Sequence, residues 1–176
     1  TYSQNGLTPA SINFHRNVRA NLPKQSKAAL RKVLLNTWEA VYFDHDEEKL
    51  KNLADIAASV GVERFVLDDG WFAGRRSDKS SLGDWWVSPE VYPNGLAPLI
   101  SHVQKLGMDF GIWVEPEMIS EDSELFRMHP DWALISPDYE PVRSRNQLVL
   151  NLVHAPAYEY VFSKLDKLLS ETDISF

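Results

Sequence analysis

Cysteine is absent from the 176 residues, so neither a disulfide framework nor a thiolate metal site can brace this chain. Histidine is scarce: five copies are scattered with no H-x-x-x-H spacing, which leaves metal-centred chemistry without a paired ligand set. Positive charge is in deficit, with 18 Lys and Arg against 25 Asp and Glu and a formal net charge of −7. A surface of that sign repels polyphosphate and anionic lipid, so nucleic acid and membrane are excluded as partners. No apolar run approaches the ~20 residues of a membrane span, and the first nine residues are polar rather than signal-like. No G-x-G-x-x-G loop follows any apolar run, which counts against an open sheet with a nucleotide crevice. The missing cysteines also lean towards a cytoplasmic location.

Aromatics, in contrast, are plentiful: six Trp, six Tyr and eight Phe, several of them next to acids. Such neighbours suit a neutral carbohydrate, because carboxylates accept hydrogen bonds from hydroxyls while an indole covers the apolar C–H face. Core filling is the competing use of the same residues.

Residues 1–29 show no sustained period of either kind and read as a linker from a preceding domain. From residue 30 to 176 short apolar runs alternate with amphipathic helices, the pattern of βαβ units and a parallel sheet. The first run is Lys32–Trp38. Asp44 and Glu47 then form a D-x-x-E capping pattern, Leu50, Leu53, Ala54, Ala57 and Val60 share a face, and Gly61 stands at the C-cap. The second run, Arg64–Leu67, stops at Asp68-Asp69-Gly70-Trp71, and an irregular stretch too long for a connector reaches Pro93. A helix carrying Leu96, Leu99, Ile100, Val103 and Leu106 follows, closed by Gly107. The third run, Met108–Val114, ends in Glu115-Pro116-Glu117, and a wandering segment with Pro130, Pro137 and Pro141 leads to Arg145. Pro156 marks a third helix start, with Val161, Phe162, Leu165, Leu168 and Leu169 as its apolar face, and Ile174–Phe176 opens a fourth strand. The predicted fold is therefore α/β: a partial (β/α)8 TIM barrel with its first three strand-helix units and the start of strand four. Residues 30–176 are expected to be the N-terminal half of a truncated catalytic barrel, since a whole one needs ~250 residues.

In such a barrel functional side chains collect at the C-terminal strand ends. The polar residues here do so: Asn36, Thr37, Trp38 and Glu39 after the first strand, Asp68 and Asp69 after the second, Trp113, Glu115 and Glu117 after the third. Neighbouring Asp68 and Asp69 would point to opposite faces of a regular strand, so both reach a ligand only if the pleat breaks before Gly70. A solvated Asp-Asp-Gly turn is the alternative. Glu115 and Glu117 share one strand face and cannot flank a scissile bond, which assigns them to holding loops or basic side chains at the rim. Arg145 either donates to a hydroxyl or pairs with a strand-end acid. Trp85 and Trp86 either wall the pocket or pack a surface loop.

Leu35-Asn36-Thr37-Trp38-Glu39-Ala40, Phe65-Val66-Leu67-Asp68-Asp69-Gly70-Trp71-Phe72, Gly83-Asp84-Trp85 and Gly111-Ile112-Trp113-Val114-Glu115-Pro116-Glu117-Met118 together resemble the α-galactosidases of glycoside hydrolase family 36 in order and spacing. The resemblance runs from about His15 to Phe176. It implies a retaining α-galactosidase that removes terminal α-linked galactose from small-molecule oligosaccharides such as melibiose and raffinose, without a cofactor or a metal, in a parent protein that is a homo-oligomer. A galactosyl transferase of the raffinose-synthase type and a non-catalytic carbohydrate-binding remnant are the alternatives. By the resemblance Asp68 and Asp69 bind the hydroxyls at C4 and C6 of galactose, Trp38 and Trp113 line the same subsite, and Arg145 lies beside it. Loss of the Asp69 side chain is then expected to cost activity far more than fold. The family's nucleophile sits in a Lys-Trp-Asp motif on the fourth strand, expected just after Phe176, and its acid/base on a later strand. No catalytic residue is therefore expected within this segment, which is predicted inactive alone.

Overall fold

The computed structural model describes residues 3–22, 31–136, 138–141 and 143–176. Pro23, Pro137 and the expected boundary between residues 29 and 30 lie outside them. The chain divides into two compact units, Thr1–Lys32 and Val33–Phe176.

Helix α1, Leu7–Asn21, lies in the first unit and has no buried residue. This segment shows no helical period in its sequence, yet it forms 15 residues of helix. Pro9 does not prevent it, because the first turn of a helix has no use for that N–H in any case. Gly6, at φ 87°, starts the helix without a side-chain cap.

The second unit is built on three short parallel strands, β1 Leu34–Asn36, β2 Arg64–Leu67 and β3 Asp109–Ile112, in the order β1-β2-β3. Leu35 is in register with Phe65, and Phe65 with Phe110. A four-residue helix α2, Trp38–Val41, leaves β1 directly, and the crossovers to β2 and β3 carry helices α3, Glu47–Ser59, and α4, Ala97–Lys105. Alternation along β2 sends Phe65 and Leu67 one way and Arg64 and Val66 the other. The first pair is fully buried with Phe110 in the same cluster as Leu50, Ala54 and Ala57 of α3 and Leu99, Ile100 and Val103 of α4. Burial of each of these large side chains contributes ~1.5–3 kcal/mol.

Helix α3 is capped by Asp46, whose carboxylate accepts from the Lys49 amide at 2.8 Å. The sequence pattern predicts a cap at Asp44, but that residue lies two positions upstream and pairs with Lys49 Nζ instead. Of the expected inner faces, Val60 is 75% exposed, Phe162 53% and Leu169 50%. Phe162 stacks on Tyr158 outside the core, which leaves Ala157, Val161 and Leu168 as the buried line of α6, Ala155–Glu171.

The segment read as wandering carries secondary structure among its described residues. It contains β4, Met118–Ser120, a short helix α5, Glu124–Met128, a 3-10 turn at Pro130–Trp132, and β5, Gln147–Val149, which pairs antiparallel with β4. Beyond α6, Ser175 donates its amide to the Phe110 carbonyl at 3.0 Å and Phe176 accepts from the Ile112 amide at 2.8 Å, so the chain end runs alongside β3. The sheet is thus an open parallel one with three strands, and the barrel is not closed here.

Candidate functional site

One cavity of about 630 Å³ opens at the C-terminal ends of the three strands. Trp38, Asp68, Asp69, Trp113 and Arg145, the five residues singled out in the sequence, all line it, together with Asn36, Glu39, Val114, Glu115 and Glu117.

Each strand delivers its share by a different local device. Asn36 ends β1, and its side chain works in two directions: Oδ1 accepts from the Trp38 amide at 2.8 Å while Nδ2 donates to Asp68 Oδ2 at 2.5 Å. Trp38 therefore begins α2 instead of ending a strand, and its ring stands edge-on to Tyr42 and Phe43 with centroids 5.1 and 5.2 Å away.

At the end of β2 the pleat breaks as the Asp-Asp-Gly reading requires. The buried Thr37 hydroxyl accepts from the Asp68 amide at 3.0 Å, and Asp68 Oδ1 accepts from the Asp69 amide at 2.7 Å. Gly70 then adopts φ 113°, a conformation that side chains disfavour, and both carboxylates reach the cavity.

Asp69 is held from behind by a residue that sequence reasoning missed. Arg75, fully buried, donates from Nε to Oδ1 at 2.9 Å and from Nη2 to Oδ2 at 2.7 Å. Arg76 donates to the carbonyls of Gly70 and Phe72 at 2.8 and 3.2 Å and so pins the same turn. Two adjacent arginines in a loop following two acids are a visible signal, but which acid each meets is a matter of loop geometry. The pair also revises an expectation. Removing the Asp69 carboxylate strands a buried guanidinium, which is strongly destabilising, so a cost to the fold is expected as well.

Trp113 is fixed through its backbone: its amide donates to Leu67 and its carbonyl accepts from Trp71 Nε1 at 2.8 Å. Trp85 is core, 1% exposed and packed with Trp71, Phe72 and Trp113, so it does not wall the cavity. Trp86, half-buried, lies under Lys164. Asp84, from the same Gly-Asp-Trp motif, is buried and accepts from the amides of Glu124 and Leu125 at 2.9 and 3.2 Å, serving as a long-range cap for α5. Burial raises its pKa.

Glu115 and Glu117 depart from their expected role. Their carbonyls do hold loops, accepting from the amides of Met118 and Leu150. Among the described residues, however, neither side chain makes a hydrogen bond or ion pair, and both line the cavity. The β2–β3 ladder ends before them, at Ile112, with one further bond from the Trp113 amide to Leu67, so both carboxylates stand on the loop to β4 and not on a shared strand face as the sequence reading expects. Burial first, then Glu117, raises the Glu115 pKa, opposed by Arg145 and Arg75.

Arg145 arrives from the hairpin turn. Gln147 donates its amide to the Ser144 carbonyl at 3.0 Å, with Arg145 and Asn146 between them at φ 52° and 57°. That is a two-residue turn of the type whose twist matches paired strands, occupied here by a residue that pays for positive φ. The lining thus sets five carboxylates against one guanidinium, a surface matched to the hydroxyl donors of a neutral ligand and unsuited to an anion. Among the described residues no group of three or more His, Cys, Asp or Glu is placed to hold a metal ion, and no helix is long and apolar enough to cross a membrane.

Residues 1–176 match the melibiase family from end to end. The chain belongs to this family, the α-galactosidases of glycoside hydrolase family 36. The melibiase-family chain is 47% identical to an α-galactosidase of Escherichia coli over 175 residues, covering 99% of this chain and 25% of that protein. It is 44% identical to α-galactosidase AgaA of Geobacillus stearothermophilus, covering 99% and 24%. Among solved structures, a variant of the Geobacillus AgaA enzyme in complex with stachyose matches 99% of the chain and 24% of its own, with a TM-score of 0.87 and 43% identity. Another variant of that enzyme, in complex with raffinose, matches 82% of the chain and 20% of its own, with a TM-score of 0.78 and 47% identity. The melibiase-family chain therefore spans about a quarter of the length of the relatives it matches.

Proposed function

We propose that the full-length protein is a retaining α-galactosidase that removes terminal α-linked galactose from oligosaccharides such as melibiose and raffinose, and that this chain builds the galactose-binding side of its pocket. The observation that carries the reading is the meeting of Asp68 and Asp69 with Trp38 and Trp113 at one cavity, three strands contributing to a site of small-molecule size. Asp68 and Asp69 accept hydrogen bonds from neighbouring hydroxyls, the indoles cover the C–H face of the ring, and Arg145 donates from the hairpin side. Discrimination follows from the acids: a sugar that turns a hydroxyl away leaves a desolvated carboxylate without its donor, which costs more than the lost contact.

Bond cleavage in this reading needs two carboxylates on opposite sides of the glycosidic bond, one forming a covalent intermediate and one moving the proton. Glu115 and Glu117 do not supply them, because they stand two residues apart on the one short loop between β3 and β4 and so cannot flank the bond. The pair comes from outside these residues. The test is galactose release from raffinose or melibiose. The full-length protein is expected to hydrolyse both with retention, and the 176-residue chain alone to release none. A full-length protein that neither binds nor releases galactose sinks the reading.

A further inference from the structure

The Asp69–Arg75 pair is buried more completely than stability would require. Arg75 is 0% exposed and Asp69 3%. A buried ion pair recovers little more than its desolvation cost, and an apolar pair of equal volume serves a core as well or better. Here the pair stands directly behind the cavity, and Asp69 is at once its inner partner and part of the lining.

The guanidinium is itself immobilised on every edge. Nη1 donates to the Ser80 carbonyl at 2.6 Å, and the rings of Phe43 and Phe72 lie 5.6 and 5.7 Å from its central carbon. Ser80 in turn donates its hydroxyl to the Gly74 carbonyl, and a β-carbon on Gly74 would stand 2.4 Å from Ser81 Oγ. The loop from residue 74 to 81 therefore closes tightly on itself and presents Arg75 in one pose. With Nε bonded to Oδ1 and Nη2 to Oδ2, the plane of the Asp69 carboxylate is set by a rigid fork, and the lone pair left on each oxygen is aimed away from it. Asp68 has no such fork; the Asn36 amide and a backbone N–H orient it.

We propose that Arg75 is a positioning residue for ligand recognition: it fixes the orientation of the Asp69 carboxylate so that the sugar meets an acceptor already aligned. The proposal rests on the reading of the cavity as a galactose site. It assigns to the loop at residues 74–81 a part in sugar recognition although Arg75 itself is absent from the cavity wall. Lysine cannot replace it, since a single ammonium does not grip both oxygens in a plane.

The test uses the full-length enzyme and the variants Arg75→Lys, Asp69→Asn and the double variant, each checked for native circular dichroism. Arg75→Lys is expected to lose on the order of 100-fold in kcat/KM, the scale of an ångström-level misplacement. The double variant is expected to be no worse than Asp69→Asn alone, because the two residues act as one unit. A folded Arg75→Lys enzyme with wild-type kcat/KM, or losses that multiply in the double variant, overturns the proposal. A crystal structure of the wild-type enzyme with galactose decides the matter even if the lysine variant does not fold. Asp69 is expected to touch a sugar hydroxyl while keeping both bonds to Arg75, and an Asp69 that releases Arg75 to reach the sugar, or never reaches it, overturns the proposal. Wild-type enzyme that takes no galactose at all counts instead against the galactosidase reading.

Discussion

The imidazole of His45 lies against Gly70, so close that a β-carbon on the glycine would stand 3.0 Å from Nε2. The ring cannot swing aside at no cost, because Nδ1 is 2.7 Å from the Tyr92 hydroxyl and the residue is buried. Gly70 is thus constrained twice, by φ 113° and by the ring. Gly70→Ala is expected to destabilise the chain by about 2–3 kcal/mol, the upper range for a strained backbone position, and to displace the carboxylates before it. Urea unfolding measures the first effect and galactose affinity of the full-length protein the second; an unchanged unfolding midpoint defeats the argument.

His45 also sets an acid limit. Burial, assisted by the positive charge of Arg76, lowers its pKa from 6.5 to about 4, against smaller upward pulls from the Asp69 and Tyr42 backbone and the Asp68 carboxylate. The unfolded chain then takes up a proton below pH 6.5 while the folded one does not until about pH 4. Stability is complete above pH 6.5 and falls through that window, by about 3 kcal/mol at most. His45→Gln is expected to flatten this part of the stability curve, read as unfolding free energy between pH 4 and 7. An equally steep curve in the variant would assign the acid limb to other groups.

Asp69→Ala is expected to unfold the chain more easily by about 3–5 kcal/mol, since a fully buried guanidinium loses its counter-charge. Asp68→Ala is expected to cost less, because its partners are the Asn36 amide and a backbone N–H. Adding Arg75→Met to Asp69→Ala is expected to restore most of the stability and none of the sugar binding. Equal unfolding midpoints for the two single variants would show that the ion pair is worth nothing to the fold.

These outcomes separate what the sequence displays from what it conceals. The strands at Arg64–Leu67 and Asp109–Ile112 were legible because each is an apolar run covered on both faces, bounded by Asp-Asp-Gly or Glu-Pro-Glu. The cavity was legible for the same reason: parallel strands must deposit their C-terminal polar residues at one rim. The antiparallel pairing of Met118–Ser120 with Gln147–Val149 was hidden, because three-residue strands carry too little alternation and 26 residues separate them, and the tight turn from Ser144 to Gln147 lacks, at Arg145-Asn146, the glycine that usually marks positive φ. Arg75 was hidden for a different reason. Its partner is fixed by the closure of an irregular loop, and no periodicity reports that. The cap at Asp46 instead of Asp44 is a local matter: Asp46 stands directly before Glu47 on extended backbone, within reach of the Lys49 amide.

Gly111 carries the last prediction, and here space alone decides. Its φ is unremarkable, but a β-carbon there would stand 3.0 Å from both the Phe176 carbonyl oxygen and Phe176 Cδ1, and 3.1 Å from Val66 Cγ2. The flanking carbonyl of Phe110 and amide of Ile112 are the two groups that hold Ser175 and Phe176 against β3. A methyl group would therefore meet the backbone of Phe176 on one side and the buried Val66 on the other. Neither can retreat without breaking a sheet hydrogen bond or the core. Gly111→Ala is expected to cost about 1–3 kcal/mol, the range for overpacking a filled interior, and to free the end of the chain from the sheet. Amide hydrogen exchange reads this directly: Ile112, whose N–H is bonded to Phe176, is expected to lose protection in the variant while Phe65, deep in the sheet, keeps it. Retained protection at Ile112 would mean that the chain end at Ser175 and Phe176 tolerates a side chain at residue 111.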